Sequence, residues 1–254
     1  MWRRGLLFAA GMCAAACIDL STDPDEIVAI QFDELPWPSI VAGDTLRDST
    51  GAVAPLGARL FDGDGDEVTG PVEFLSQETK VQVIDGGRVV AADTATGIVH
   101  LLASTAGIQS FVRQLEVVTA PDSVAAEGAI EPLGWVVPDD PAENTSVALG
   151  VRVFSTTGDE PEGVRAWVVS FDLEVSGNPI APGDTTQLFL VTEAGRPSRS
   201  DTTDTQGHAS RRLRLRIAPG LIPPDSAVIT VRASYQGAPL IGSPVRLVLP
   251  IQPR

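Results

Sequence analysis

The chain is nearly without cysteine: among its 254 residues only Cys13 and Cys17 carry a thiol, and both fall in the first seventeen. Downstream there is nothing to form a disulfide or a thiolate metal site, so the fold must be held by burial alone. Lysine is missing except for Lys80, with arginine supplying the other basic positions, a genomic bias rather than a chemistry. The histidines are His100 and His208 only. A catalytic triad or a zinc site would have to use one of these two. His100 lies within the apolar run IVHLLAS and His208 in a turn near Asp204 and Ser210, so neither points to catalysis. After the start of the chain no apolar run reaches the ~18 residues of a membrane span. Helical periodicity is lacking too, and no phosphate-binding glycine loop or G-x-S-x-G elbow is found. A net charge of -15 excludes a nucleic-acid partner, whose phosphates would be repelled.

What is present begins with an address. Arg3 and Arg4 precede an apolar run from Gly5 to Ala16, which as a helix would cover roughly 18 Å of a ~30 Å hydrocarbon core. Residues 1–17 therefore read as a cleaved secretory signal. Ala14, Ala15 and Ala16 before Cys17 resemble the lipobox of bacterial lipoproteins, which implies that Cys17 is acylated and becomes the first mature residue. An ordinary signal peptide cut nearby is the alternative. Residues 18–26, polar and acidic, are too poor in apolar side chains to bury themselves and read as a tether.

From residue 27 onward, short runs rich in Val, Ile and Leu are broken about every ten residues by Gly, Pro, Asp or Asn, the pattern of an all-β sandwich. In HASRRLRLRI, Leu213, Leu215 and Ile217 alternate with Arg212, Arg214 and Arg216, which predicts one face in a core and an arginine face in water. In SVALGVRVF the same period aligns Val147, Leu149, Val151 and Val153. Asp85, Gly86 and Gly87 predict a tight hairpin between VQVI and RVVAA. A division near VTAPDSV gives two domains, residues 27–119 and 120–254. Residues 18–119 hold 17 acids and 5 bases, and residues 120–254 hold 16 and 11, so the acidity is concentrated in the first.

Several of these residues carry a family resemblance. Asp64 and Gly65, Phe74 and Ser76, then Gly87, Val89 and Ala91, then Gly97 and Ala103, together with the earlier Gly43-Asp44-Thr45, resemble the group 2 bacterial immunoglobulin-like domain. Thr203, Asp204, Gly207 and Ala209 are similar to the turn and strand of invasin-like, group 1 domains. The resemblance implies two immunoglobulin-like β-sandwiches in tandem behind a lipoprotein signal peptide.

The candidate sites are sparse. Asp62, Asp64 and Asp66 of FDGDGDEV, with Glu73, fill four slots of a calcium loop. Glu67 stands where such a loop needs glycine, however, and the flanks GARLF and VEFLS read as strands rather than helices. The favoured reading is a turn, since Asp and Gly tolerate left-handed backbone and bond their own main chain. Ca²⁺ held in a β-loop is the second reading, and no other cofactor is implied. The face of Arg212, Arg214 and Arg216, with Arg232 or Arg246 on neighbouring strands, would suit an anionic partner; a solvated face balanced by acids such as Glu174 is the plainer reading. Trp37 and Trp135, in proline-bounded stretches, would stack on sugars if exposed, with packing the commoner role, whereas Trp167 reads as core. The expectation is an exported lipoprotein held to the bacterial envelope, at the outer membrane or cell surface, through Cys17. It would act without catalysis as a structural, adhesive or binding module toward a protein or polysaccharide partner. The alternatives are a carbohydrate-binding module or an accessory to a surface enzyme.

Overall fold

The computed structural model describes residues 26–218, 220 and 222–254. The signal segment, Cys17 and the tether before Glu26 lie outside them. The described residues are strands joined by turns, with a single 3-10 turn at Asp85–Gly87 where the tight hairpin was expected.

Two sandwiches follow one another. The first is built from β1 (Ala29–Phe32), β2 (Ser39–Val41), β3 (Ala58–Phe61), β4 (Glu73–Ser76), β5 (Val81–Ile84), β6 (Arg88–Ala91), β7 (Gly97–Thr105) and β8 (Arg113–Val118). The second comprises β9 (Ser123–Glu127), β10 (Leu133–Trp135), β11 (Leu149–Ser155), β12 (Val168–Val175), β13 (Leu188–Val191), β14 (His208–Leu215), β15 (Ser226–Arg232) and β16 (Val245–Pro253). Shorter pairs extend the sheets.

With one exception, the two halves use the same pairings. One sheet runs β2-β8-β7-β4 in the first sandwich and β10-β16-β15-β12 in the second. In each, the second strand lies parallel to the last, with Ile40 opposite Val117 and Leu133 opposite Ile251. The facing sheet of the second sandwich runs β9-β11-β14-β13. This mostly antiparallel arrangement, four strands against four with crossings between sheets, is the immunoglobulin-like sandwich. The first sandwich departs from it once. β1 pairs with β3 and β5 with β6, but no ladder joins β3 to β6. Residues 44–47 take that place: the Leu46 amide donates to Val89 O at 2.9 Å and the Ala91 amide to Asp44 O at 2.9 Å. The chain then turns at 48–51 before reaching β3, and this detour projects toward the second sandwich.

Alternation along the strands fills the interiors. β11 buries Leu149, Val151 and Val153, and β14 buries Ala209, Leu213 and Leu215 against Phe171, Leu173 and Ile229 of the facing sheet. Val147 falls before β11 and stays exposed, because the strand begins two residues later than the sequence pattern suggests. The first interior gathers Phe32, Leu46, Val89, Leu101, Leu115 and Val117.

Phe171 is wholly buried at the centre of the second sandwich. Phe171→Ala is expected to destabilise that sandwich by about 3–5 kcal/mol, through lost transfer energy and a residual cavity, measured as a shift of the urea midpoint followed by tryptophan fluorescence.

Candidate functional site: the joint between the sandwiches

Val41 and Val118, the last residues of β2 and β8, belong to the interior of the second sandwich rather than the first. Trp37 packs against both interiors. The two cores therefore touch. At the contact the Trp37 ring meets Trp167 edge-on at 5.7 Å, and Trp167 meets Tyr235 edge-on at 5.8 Å. Thr203 fixes this platform from below: its Oγ1 accepts from the Trp167 amide at 2.8 Å and donates to Val164 O at 2.7 Å. The threonine of the TDTQGHA motif thus holds the tryptophan that the joint is built on. Gly207 of the same motif has φ +84°, and a Cβ there would fall 2.2 Å from Val153 O, which explains glycine at this point.

Polar contacts surround the aromatic centre. Ser39 Oγ donates to Ala166 O at 2.8 Å, and Arg165 Nη2 lies 2.5 Å from Glu116 Oε1. Burial pushes the Glu116 carboxyl above its ordinary value, against the opposing charges of Arg165 and Lys80. On the other flank, Asp44 Oδ2 accepts from Tyr235 OH at 2.8 Å, Gln236 Nε2 at 3.0 Å and Arg47 Nε at 2.9 Å. Its Oδ1 accepts from the Thr45 amide at 2.7 Å and Arg47 Nη2 at 2.9 Å. Burial of Asp44 favours its neutral form, yet the donors from Arg47, Gln236, Thr45 and Tyr235 outweigh it and hold the carboxyl far below the usual aspartate range. Burial and the Asp44 carboxylate together push the Tyr235 hydroxyl up to about 12. Beside this latch the backbones nearly touch: Gly51, at φ +86°, would place a Cβ 2.2 Å from the Gly237 amide nitrogen. Only glycine lets the 48–51 turn reach the 234–239 hairpin.

The expected site residues fall elsewhere. Asp62 Oδ1 accepts from the amides of Asp64 at 3.0 Å and Asp66 at 2.9 Å, and the Asp62 amide donates to Asp66 O. The Asp62 carboxylate thus closes a turn, while Asp64 and Asp66 are exposed and Glu73 sits on β4 opposite Ser104. Among the described residues no three His, Cys, Asp or Glu are grouped to hold a metal.

The arginine face is not the solvated surface that alternation suggests. Arg214 is buried beneath the 136–145 loop, with Nη2 on Asp139 Oδ2 at 2.6 Å and Nη1 donating to Asn144 O at 3.2 Å. Arg211, on the inward parity, is buried as well and pairs with Asp201 at 2.9 Å. Arg216 lies 5.4 Å over the Phe189 ring. The acids that balance this strand are Asp139 and Asp201, since Glu174, Arg232 and Arg246 belong to the opposite sheet. Arg212, Arg214 and Arg216 do line one groove of about 500 Å³ with Phe189, Val191 and Thr192. Trp135 is half-buried on β10 and packs on the second core; Trp167 is core. His100 Nδ1 meets Glu78 at 2.6 Å, and His208 pairs with Glu127, each pair on the surface of its own sandwich.

The joint was missed in the sequence. Asp44 belongs to the Gly-Asp-Thr that marks the first domain, and Tyr235 is the chain's single tyrosine, but nothing in their spacing shows that they meet 191 residues apart.

No family model matches the chain, and no curated protein matches it. Solved structures that align with it include the adhesin InvE of Yersinia pseudotuberculosis, at 15% identity and TM-score 0.35, covering 88% of this chain and 58% of that one. The Escherichia coli adhesin FdeC aligns at 13% identity and TM-score 0.31, covering 88% and 63%. Domains 5–6 of the surface-layer protein SbsC align at 16% identity and TM-score 0.29, covering 89% and 97%. The chain thus spans little more than half the length of the InvE structure. At these values the likenesses add nothing to the strand order, on which the fold assignment stands.

Asp44 binds its proton more weakly folded than unfolded, so its contribution is complete above the ordinary aspartate pKa of about 3.9 and is lost as pH falls below it. Asp44→Asn is expected to lower stability at pH 7 by about 1–3 kcal/mol and to flatten the acid limb below pH ~4, read from urea midpoints across pH. At the aspartate turn, Asp62→Ala is expected to cost about 1 kcal/mol while Asp62→Asn, which keeps an acceptor oxygen, costs less, with the melting temperature unmoved by added Ca²⁺. Stabilisation by Ca²⁺ that Asp62→Ala abolishes would establish the cation site instead.

Proposed function

We propose that the chain is an exported, envelope-anchored lipoprotein that acts without catalysis, as a structural or adhesive module presenting its second sandwich away from the membrane. The joint is the observation that carries this reading. Two immunoglobulin-like units linked by a free tether would sample many orientations. Here shared apolar contacts and the Tyr235 and Gln236 donors to the Asp44 carboxylate hold the second unit against the first. Such coupling suits a spacer or a presented binding surface, which works by reach and orientation. Catalysis instead requires convergent groups in a cleft. The two histidine–carboxylate pairs lie on different sandwiches, and the aspartate cluster closes a turn. A sugar platform at Trp37 is disfavoured because that ring is committed to Trp167.

The anchor is tested by metabolic labelling with palmitate and fractionation of the envelope. Wild-type protein is expected to carry label and sediment with membranes, and Cys17→Ala to lose both. Unlabelled wild-type protein in the soluble fraction would overturn the anchoring.

A further inference from the structure

The end of the first sandwich farthest from the joint holds an apolar feature that no interior accounts for. Phe111 is 93% exposed, with Val112 at 46% and Leu75 at 36%. Leu75 stands opposite Leu102 on β7, and Val112, one step before the Arg113–Leu101 pair on β8, faces the same residue, so Leu75 and Val112 flank β7 on one face of the sheet toward this end. Phe111 is turned out by a local device. The Ser110 hydroxyl accepts from the Ala103 amide at 3.0 Å and donates to Phe111 O at 2.9 Å, ending the regular ladder just before β8.

The chain also enters the sandwich at this end. The Val28 amide donates to Phe61 O, Ile27 packs where Gly70 has no side chain, and Thr105 Oγ1 donates to Pro71 O at 2.6 Å beside the Ala106–Gly107 tip. Eight residues separate Cys17 from Glu26. Even fully extended they span only about 30 Å.

We propose that Phe111, with Val112 and Leu75, is a membrane-contact tip that rests in the interface of the bilayer to which the chain is tethered; this rests on the anchoring read at Cys17. A phenyl ring, apolar throughout, suits the boundary between headgroups and acyl chains, where Phe and Leu of interfacial segments are buried. The short tether supplies a high effective concentration of bilayer, so one aromatic and two aliphatic side chains suffice without independent affinity. Asp64, Asp66, Glu67 and Glu73 lie near this end and disfavour an anionic surface, so the occupant is a zwitterionic bilayer.

The test uses residues 18–254 with a hexahistidine tag in place of the acylated cysteine, bound to phosphatidylcholine vesicles through a nickel-chelating lipid. Phe111→Trp, conservative at an exposed position, reports the environment of the tip after subtraction of the wild-type signal. The added indole is expected to emit at shorter wavelength on vesicles and to lose roughly half its intensity to acyl-chain-brominated lipid, as an indole at headgroup level does, with recovery when imidazole releases the tether. Charging the vesicles with phosphatidylserine at low salt is expected to reduce that quenching. Water-like emission without quenching on tethered vesicles would overturn the proposal. So would a blue shift on concentrating the protein without vesicles, which would place Phe111 between copies of the chain. Because the chelator holds the chain whatever happens at Cys17, this result and the palmitate result fail independently.

Discussion

Trp167 stands where two interiors meet, and the arrangement of the molecule depends on it. Its indole belongs to the second core, while its edge receives Trp37 from the first and its other side receives Tyr235. Thr203 holds its backbone in place. A large aromatic buried on several sides by separate elements favours one relative placement of those elements, since displacement opens a void beside the ring. With no cysteine after Cys17, such a void and the polar contacts around it oppose relative movement of the sandwiches.

Around that apolar centre the polar contacts add direction. Asp44 gathers donors from both sandwiches on one carboxylate, and the Arg47 fork keeps it charged. Charge-assisted bonds of this kind are geometrically demanding, so they set rotation as well as proximity. The Glu116–Arg165 pair acts on the opposite flank, where desolvation of the half-buried carboxylate offsets part of the attraction. The detour through residues 44–56 makes this possible. By taking the place of a β3–β6 ladder, it costs the first sandwich regularity and gives it an arm that reaches its neighbour.

The consequence for function is one of placement. The acid-rich first sandwich receives the chain from its N-terminal end, and the second is held beyond it with its arginine-lined groove facing away from its own core. In the proposed role, a coupled pair of this kind would carry orientation from one sandwich to the other. A hinged pair would not.

Much of this was legible in the residues. Alternation in β11 and β14, the Asp-Gly-Gly hairpin and the core position of Trp167 follow from local rules of side-chain direction and turn chemistry, and the structure agrees with each. Alternation failed at Arg214, where a loop far off in sequence folds over the outward face and supplies Asp139 and Asn144 as partners. At Phe111 a serine hydroxyl interrupts the ladder, a contact that no local pattern announces. The sequence by itself determined that the chain forms extended strands with one apolar side, in two series, because those preferences are set between near neighbours. Only the tertiary structure decided that the two series share a joint, because the contact of Asp44 with Tyr235 exists only after both sandwiches have closed and brought distant turns within hydrogen-bonding reach.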